Sequence, residues 1–133
     1  MKEKTLVLIK PDGVKRKLVG KIISIYEENN LEIIELKMVM PTEDIIRNHY
    51  IEHIEKAFFP ELREYFLEGS ICCLILGGEN AIQKVRNING NTDPKEAVDG
   101  SIRKLYGKNK TRNLVHSSDC IESAKREINI WFK

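Results

Sequence analysis

The sequence predicts an α+β fold, a ferredoxin-like sandwich with a four-stranded antiparallel sheet and helices packed on it. Three observations predict it. Four runs have strand character, and helical apolar spacings lie between and after them, in the order β-α-β-α-β-α-loop-β-α. At 133 residues the chain has the length of one domain, spanning 1–133, and it can bury a core without staples. It carries no repeat, linker or low-complexity segment that would divide it.

Each element has its own signal. Residues 5–9, TLVLI, form a β-rich run stopped by the turn Lys10-Pro11-Asp12-Gly13. Val19, Ile22, Ile23 and Tyr26 recur at helical spacing, and Asn29-Asn30 ends that helix. In LEIIELKMVM, Ile34, Leu36, Met38 and Met40 alternate with Glu35, Lys37 and Val39, which predicts a strand with the first set buried. Thr42 is placed to cap a short helix running to about Asn48. Phe58, Phe59, Leu62, Tyr65 and Phe66 make a helical apolar stripe closed by Gly69. ICCLIL is a fully buried strand, and Asn80 is placed to cap a helix carrying Ile82, Val85 and Ile88, stopped by Gly90. From about 91 to 112 the periodicity vanishes, and a loop of that length in a small domain is more often functional than idle. Leu114-Val115 is a short strand. Asp119 and Glu122 fit a capping box for a last helix with Ile121, Ala124 and Ile128 inward.

Composition narrows the function classes. Apolar residues are 41% and charged residues 32%, an ordinary soluble balance, and a net charge of +2 argues against a chain built to coat nucleic acid. The three cysteines, Cys72, Cys73 and Cys120, have no metal spacing, which suggests reduced thiols inside a cell. The five residues between Lys4 and Lys10 are too few for a signal-peptide core, and ICCLIL is far too short to span a membrane. A cytoplasmic protein without a membrane partner is expected.

No G-x-x-x-x-G-K-[ST] loop and no G-x-G-x-x-G are present, so any phosphate must be held by side chains. The candidates are Lys10, Arg86, Thr92, Arg103 and Arg112, among which the guanidinium groups match phosphate oxygens in a bidentate way. Composition alone reads the same loop as a solvated basic segment. His49 and His53 stand at i, i+4, but no H-E-x-x-H and no third ligand accompany them, so zinc is not expected there. His116, in NLVHSSD, lies between a strand end and a helix N-terminus, where partial positive charge favours an incoming anion and a neutral imidazole. On position alone a structural histidine fits equally well.

TLVLIKPDGV, Tyr50 with His53, KAFFPEL, VRNINGNTDP, GSIR, and RNLVHSSDCIESAKREI with Trp131-Phe132 occur in that order. Taken together they resemble a nucleoside diphosphate kinase over essentially the whole chain. The resemblance implies ping-pong transfer of the γ-phosphoryl group of a nucleoside triphosphate to a nucleoside diphosphate, through phosphohistidine formed at Nδ1 of His116. By the same resemblance Lys10 contacts the ribose 3′-hydroxyl and the transferring phosphate, with Asn113 as its partner at the sugar and Tyr50 beside the histidine. Arg86, Thr92 and Arg103 form the phosphate clamp, His53 lies near the α-phosphate, and Phe58 stacks on the base above Leu62. Glu127 bonds the other imidazole nitrogen with Ser118 beside it. Mg²⁺ comes with the nucleotide, held mainly by phosphates, with Asp119 reaching it through water. Implied substrates are ATP, GTP, other nucleoside tri- and diphosphates and their deoxy forms. The nucleotide-binding loop is placed at about 91–112. No specific nucleic acid is implied, and a homo-oligomer is, hexamer or tetramer, the short segment after Trp131-Phe132 leaving both open.

The sequence departs from that pattern in several places. Ser117 stands where glycine usually follows the histidine, and its side chain would crowd a phosphohistidine. Ala97-Val98-Asp99-Gly100 lacks the proline that usually precedes the glycine, Lys17 replaces a common glycine, and Lys110 replaces an apolar residue. Ser117 and the altered loop support the alternative reading, a nucleotide-binding member with weak or no transfer activity.

Overall fold

Four strands, β1 (Lys2–Ile9), β2 (Glu32–Val39), β3 (Ile71–Glu79) and β4 (Val115–Ser117), form one antiparallel sheet in the order β2-β3-β1-β4. The structure is a computed structural model that describes residues 2–110 and 112–132. Seven α-helices of these residues accompany the sheet: α1 (Pro11–Lys15), α2 (Val19–Glu28), α3 (Glu43–His49), α4 (Phe59–Phe66), α5 (Ala81–Asn89), α6 (Ile102–Tyr106) and α7 (Ile121–Trp131). The ferredoxin-like expectation holds. No helix among them is long and apolar enough to cross a membrane.

The strand period of two divides the core in half. Val7 and Ile9 of β1 join Leu74 and Leu76 of β3 under Ile22, Tyr26 and Val85. Leu6 and Leu8 join Cys73 and Ile71 on the opposite face, under Ile46, Phe59, Phe66 and Trp131. The central strands β1 and β3 are therefore apolar on both faces, which is why TLVLI and ICCLIL read as unbroken runs.

β2 behaves otherwise. Ile34, Leu36, Met38 and Met40, expected in the core, are 38–57% exposed. β2 is an edge strand, and its pairing with β3 shifts register between Ile33 and Glu35. Ile33 consequently packs with Leu76 on one face, while Val39 packs with Ile71 on the other, although six residues apart they would share a face in a regular strand. Leu36 and Met38 sit beside Leu74 and Cys72, on the α2 side of the sheet, but at its uncovered margin.

Three capping expectations have different outcomes. Thr42 Oγ1 accepts from Ile45 N at 3.2 Å and caps α3. Asn80 makes no side-chain cap, because it takes a left-handed conformation, φ 50°, rather than the extended one a cap needs. At α7 the cap is Cys120, whose Sγ accepts from Ser123 N at 3.5 Å, instead of the expected Asp119–Glu122 box. Ala124 points inward as expected, whereas Ile121 is exposed. The segment expected to be a structureless loop also holds α6, capped by Ser101 Oγ on Lys104 N, and a single 3₁₀ turn, Pro94–Glu96.

Lys17 gives a physical reason for the usual glycine. It adopts φ 60° directly after α1, with Leu18 N on Gly13 O and Lys17 N on Val14 O, the paired bonds of a Schellman ending. Lys17→Gly should relieve the left-handed strain and raise stability by about 0.5–1 kcal/mol net of the entropy glycine adds to the unfolded chain. A higher denaturant midpoint with an unchanged slope is the expected reading.

Candidate active site

β4 begins from a tight turn. Leu114 is buried with φ 77°, and Val115 N donates to Asn113 O at 2.9 Å across it, which makes a γ-turn. Such a conformation is costly for leucine, and the surroundings hold it. Lys10 N donates to Leu114 O at 2.7 Å, and Gly13 of α1 lies so close that an added Cβ would meet Ile9 Cγ2 at 2.8 Å. The turn brings Lys10 and Asn113 together although 103 positions separate them: Lys10 Nζ donates to Asn113 Oδ1 at 3.0 Å. Asn113 Nδ2 in turn donates to Thr92 O at 3.0 Å and Lys110 O at 2.9 Å, tying the 91–110 segment to the sheet. Burial, with Arg103 nearby, lowers the Lys10 amine to about 7, while Asp12 opposes that shift.

With Val115 in the core, the strand period turns His116 to the other face, opposite Leu8, where α3 and α7 pack. His116 Nε2 lies 3.0 Å from Glu127 Oε1 of α7. The same oxygen accepts from Ser118 Oγ at 2.7 Å, and Leu6 N donates to Ser118 Oγ at 3.3 Å. A buried carboxylate thus fixes one ring nitrogen, and no hydrogen bond engages Nδ1 among the described residues. An imidazole held this way carries its proton on Nε2 and a lone pair on Nδ1.

Two cavities meet at Ser117, which lines both. The larger, about 700 Å³, is a polar cleft that includes Arg86, Thr92 and Arg103. Arg103 is anchored by Gly90 O at 2.8 Å and Val115 O at 2.7 Å, so its guanidinium is set in place before any ligand arrives. Arg86 reaches Asp119 O at 3.5 Å. The smaller, about 130 Å³, is lined by His49, Tyr50, His53, His116, Asp119 and Glu127. Asp119 is exposed, and its carboxyl is held below the usual range by a bond from Ser123.

Of the residues expected from the sequence, Arg86, Thr92 and Arg103 share one cleft, and Tyr50, His53, His116, Asp119 and Glu127 share the other. Lys10, Asn113 and Ser118 are buried beneath them. Phe58 and Leu62 line neither. Phe58 is half exposed at the start of α4, 5.8 Å from the His53 ring, and Leu62 is buried below it. The Tyr50 ring packs edge-on against His49 at 4.6 Å and Phe66 at 5.4 Å, in the wall of the cavity that His116 also lines, and burial raises its hydroxyl. Arg112 leaves the list of phosphate candidates: its Nη1 donates to Glu68 Oε1 at 2.9 Å and its guanidinium lies over the Tyr65 ring.

His49 is the residue that sequence reasoning missed as a neighbour of His116, having weighed it only as a zinc ligand with His53. Ligand atoms of His49, His116 and Glu127 lie within 4.8 Å of one another. A metal does not fit that trio. Trp131 Nε1 donates to His49 Nδ1 at 3.0 Å, which leaves the ring proton on Nε2 and no free lone pair to give.

Comparisons with known proteins agree over the whole chain. The family described as nucleoside diphosphate kinase matches residues 3–133. A curated nucleoside diphosphate kinase from Saccharolobus islandicus is 47% identical over 130 residues, 98% of this chain and 94% of that one. The crystal structure of the Aquifex aeolicus nucleoside diphosphate kinase superposes with a TM-score of 0.97 at 38% identity, covering 100% of this chain and 96% of that one. A nucleoside diphosphate kinase structure from Encephalitozoon cuniculi gives 0.95 at 36% identity, covering 97% and 88%.

Proposed function

Since the chain belongs to the nucleoside diphosphate kinase family, we propose that its phosphoryl transfer from nucleoside triphosphates to nucleoside diphosphates runs through His116. The observation that carries this reading is the His116 Nε2–Glu127 contact of 3.0 Å, which leaves Nδ1 as the free lone pair. In the first half-reaction Nδ1 attacks the γ-phosphorus in line, the bond to the bridging oxygen breaks, and a nucleoside diphosphate leaves. In the second, a β-phosphate oxygen of the incoming diphosphate attacks the same phosphorus and the N–P bond breaks. Glu127 and Ser118 stabilise the ring as it gains positive charge. Arg86, Thr92 and Arg103 bind the phosphate oxygens, with His53 toward the α-phosphate. Lys10 and Asn113 take the sugar hydroxyl and the transferring group, and Tyr50 walls the pocket. Phe58 offers an exposed ring face to the base, with Leu62 beneath it. Stacking of this kind is indifferent to base identity, so ATP, GTP and deoxy forms are all substrates.

Mg²⁺ fits as an ion that arrives with the nucleotide. Asp119 offers an ionised, exposed carboxylate suited to a contact through water, and when bound the ion neutralises phosphate charge. The functional unit is one domain over 1–133, with residues 91–112 as its nucleotide-binding loop, working in the cytoplasm.

Incubation with Mg-ATP followed by intact mass at alkaline pH tests the mechanism. A gain of one phosphoryl group, discharged by GDP, is expected. ATP binding without that gain would leave a binding protein with little transfer.

The same reading includes a homo-oligomer, with β2 as one contact. Its outer edge is unpaired among the described residues, its exposed Leu36 and Met38, with Met40 just beyond, are apolar, and an antiparallel edge is self-complementary about a two-fold axis. Leu36→Arg should therefore reduce the assembly by at least one step in sedimentation velocity. An unchanged sedimentation coefficient would remove β2 from the contact.

A further inference from the structure

His49 closes α3 at 3% exposure and faces three groups at once. Its Nδ1 accepts from the Trp131 indole, its ring stands edge-on to His116 at 4.4 Å and 79°, and its Nε2 is buried without a partner. An indole nitrogen only donates, so this neutral imidazole carries its proton on Nε2. Burial keeps it neutral, and the nearby Arg126 guanidinium acts the same way. A buried N–H left unpaired costs stability, which is unusual at a position free to be apolar.

The neighbouring chemistry gives that arrangement a use. His116 Nε2 has one acceptor at 3.0 Å, Glu127, and one ring nitrogen of His49 lies in the same 4.8 Å cluster of His49, His116 and Glu127. A lone pair on His49 Nε2 would compete for the His116 proton and turn the ring away from Glu127. An N–H at that place cannot accept. We propose that His49 is a positioning residue for His116, locked by Trp131 as the Nε2–H tautomer so that Glu127 remains the sole acceptor of the His116 proton. The proposal rests on His116 being the nucleophile.

Nitrogen-15 NMR of the full chain with labelled histidine reads the tautomer directly. In the wild type His49 is expected as the Nε2–H form, unchanged across the neutral pH range. Trp131→Phe should mix its tautomers and slow phosphorylation of His116 by Mg-ATP about ten- to a hundredfold, with nucleotide affinity unchanged. Adding His49→Phe, which removes the competing nitrogens, should recover most of that rate. A purely structural role predicts further loss from the second substitution. The proposal is overturned if wild-type His49 carries its proton on Nδ1 or titrates near neutrality, or if the double variant is as slow as Trp131→Phe alone. Failure of the nucleophile reading would look different, since the wild type would then gain no phosphoryl group.

Discussion

His116→Ala is expected to lower kcat/KM by about 10³-fold or more and to abolish the phosphoryl-enzyme. The reason is chemical: alanine removes the ring nitrogen proposed to form the N–P bond, and the Glu127–Ser118 pair then orients nothing. Nucleotide affinity should stay within about threefold, because Arg86, Thr92 and Arg103 line the separate, larger cleft. The strand should tolerate the change, since its pairing with β1 is through backbone and the His116 side chain is only partly buried. A coupled transfer assay, calorimetric titration with nucleotide and intact mass give the three readings. Retention of a tenth or more of wild-type turnover would disqualify His116 as the nucleophile.

The sheet was legible because burial on both faces leaves an unbroken apolar run, as in TLVLI and ICCLIL. β2 misled for the complementary reason. Alternation reports that two faces differ, and not which one is covered, and a register shift at Ile33/Glu35 together with an edge position exposed the apolar set. α6 was overlooked because a five-residue helix holds too few periods to register, although Ser101 ahead of Ile102 and Tyr106 was a usable cap signal. At α7, Asp119 fitted the capping rule, and a cysteine sulfur took the place instead.

The site was legible in a different way. His116 stood between a strand end and a helix start, a position that fitted a structural histidine equally well, and its expected role came with the family resemblance. Its partners could not be read locally, because the contacts that define their roles join residues distant in sequence: Lys10 with Asn113 across 103 positions, His49 with Trp131 across 82. The first pair entered through family resemblance. The second could not, since nothing local to NHYIEH says that an indole will fill Nδ1. Leu114 is similar, for a left-handed leucine has no composition signal and follows only from the contacts that force it.

Lys10 carries the second large effect, and its sign follows from its burial. Lys10→Gln should lower kcat/KM about 10²–10³-fold, because on the proposed reading it removes the cationic group that meets the transferring phosphoryl. In the free protein the amine titrates at about 7, lowered from 10.5 by burial and Arg103. Above that pH it is neutral, whereas the phosphates of a bound nucleotide favour the ammonium form. Nucleotide binding at about pH 8, where the free amine is about 90% neutral, should therefore take up a proton, and affinity should weaken as pH rises. Calorimetry in two buffers of different ionisation enthalpy would show close to one proton bound by the wild type and none by Lys10→Gln. The stability of the free protein should follow the same linkage. Between about pH 7 and 10.5 the unfolded chain holds the Lys10 proton and the folded one does not, so this residue makes stability rise with pH in that window. Below it both states are protonated, and the cost of burying the charge is fully present. Lys10→Gln should flatten the slope and be more stable than the wild type near neutrality. A wild type that binds nucleotide with no proton uptake, and shows the same stability slope as the variant, would mean that the buried amine keeps its charge throughout.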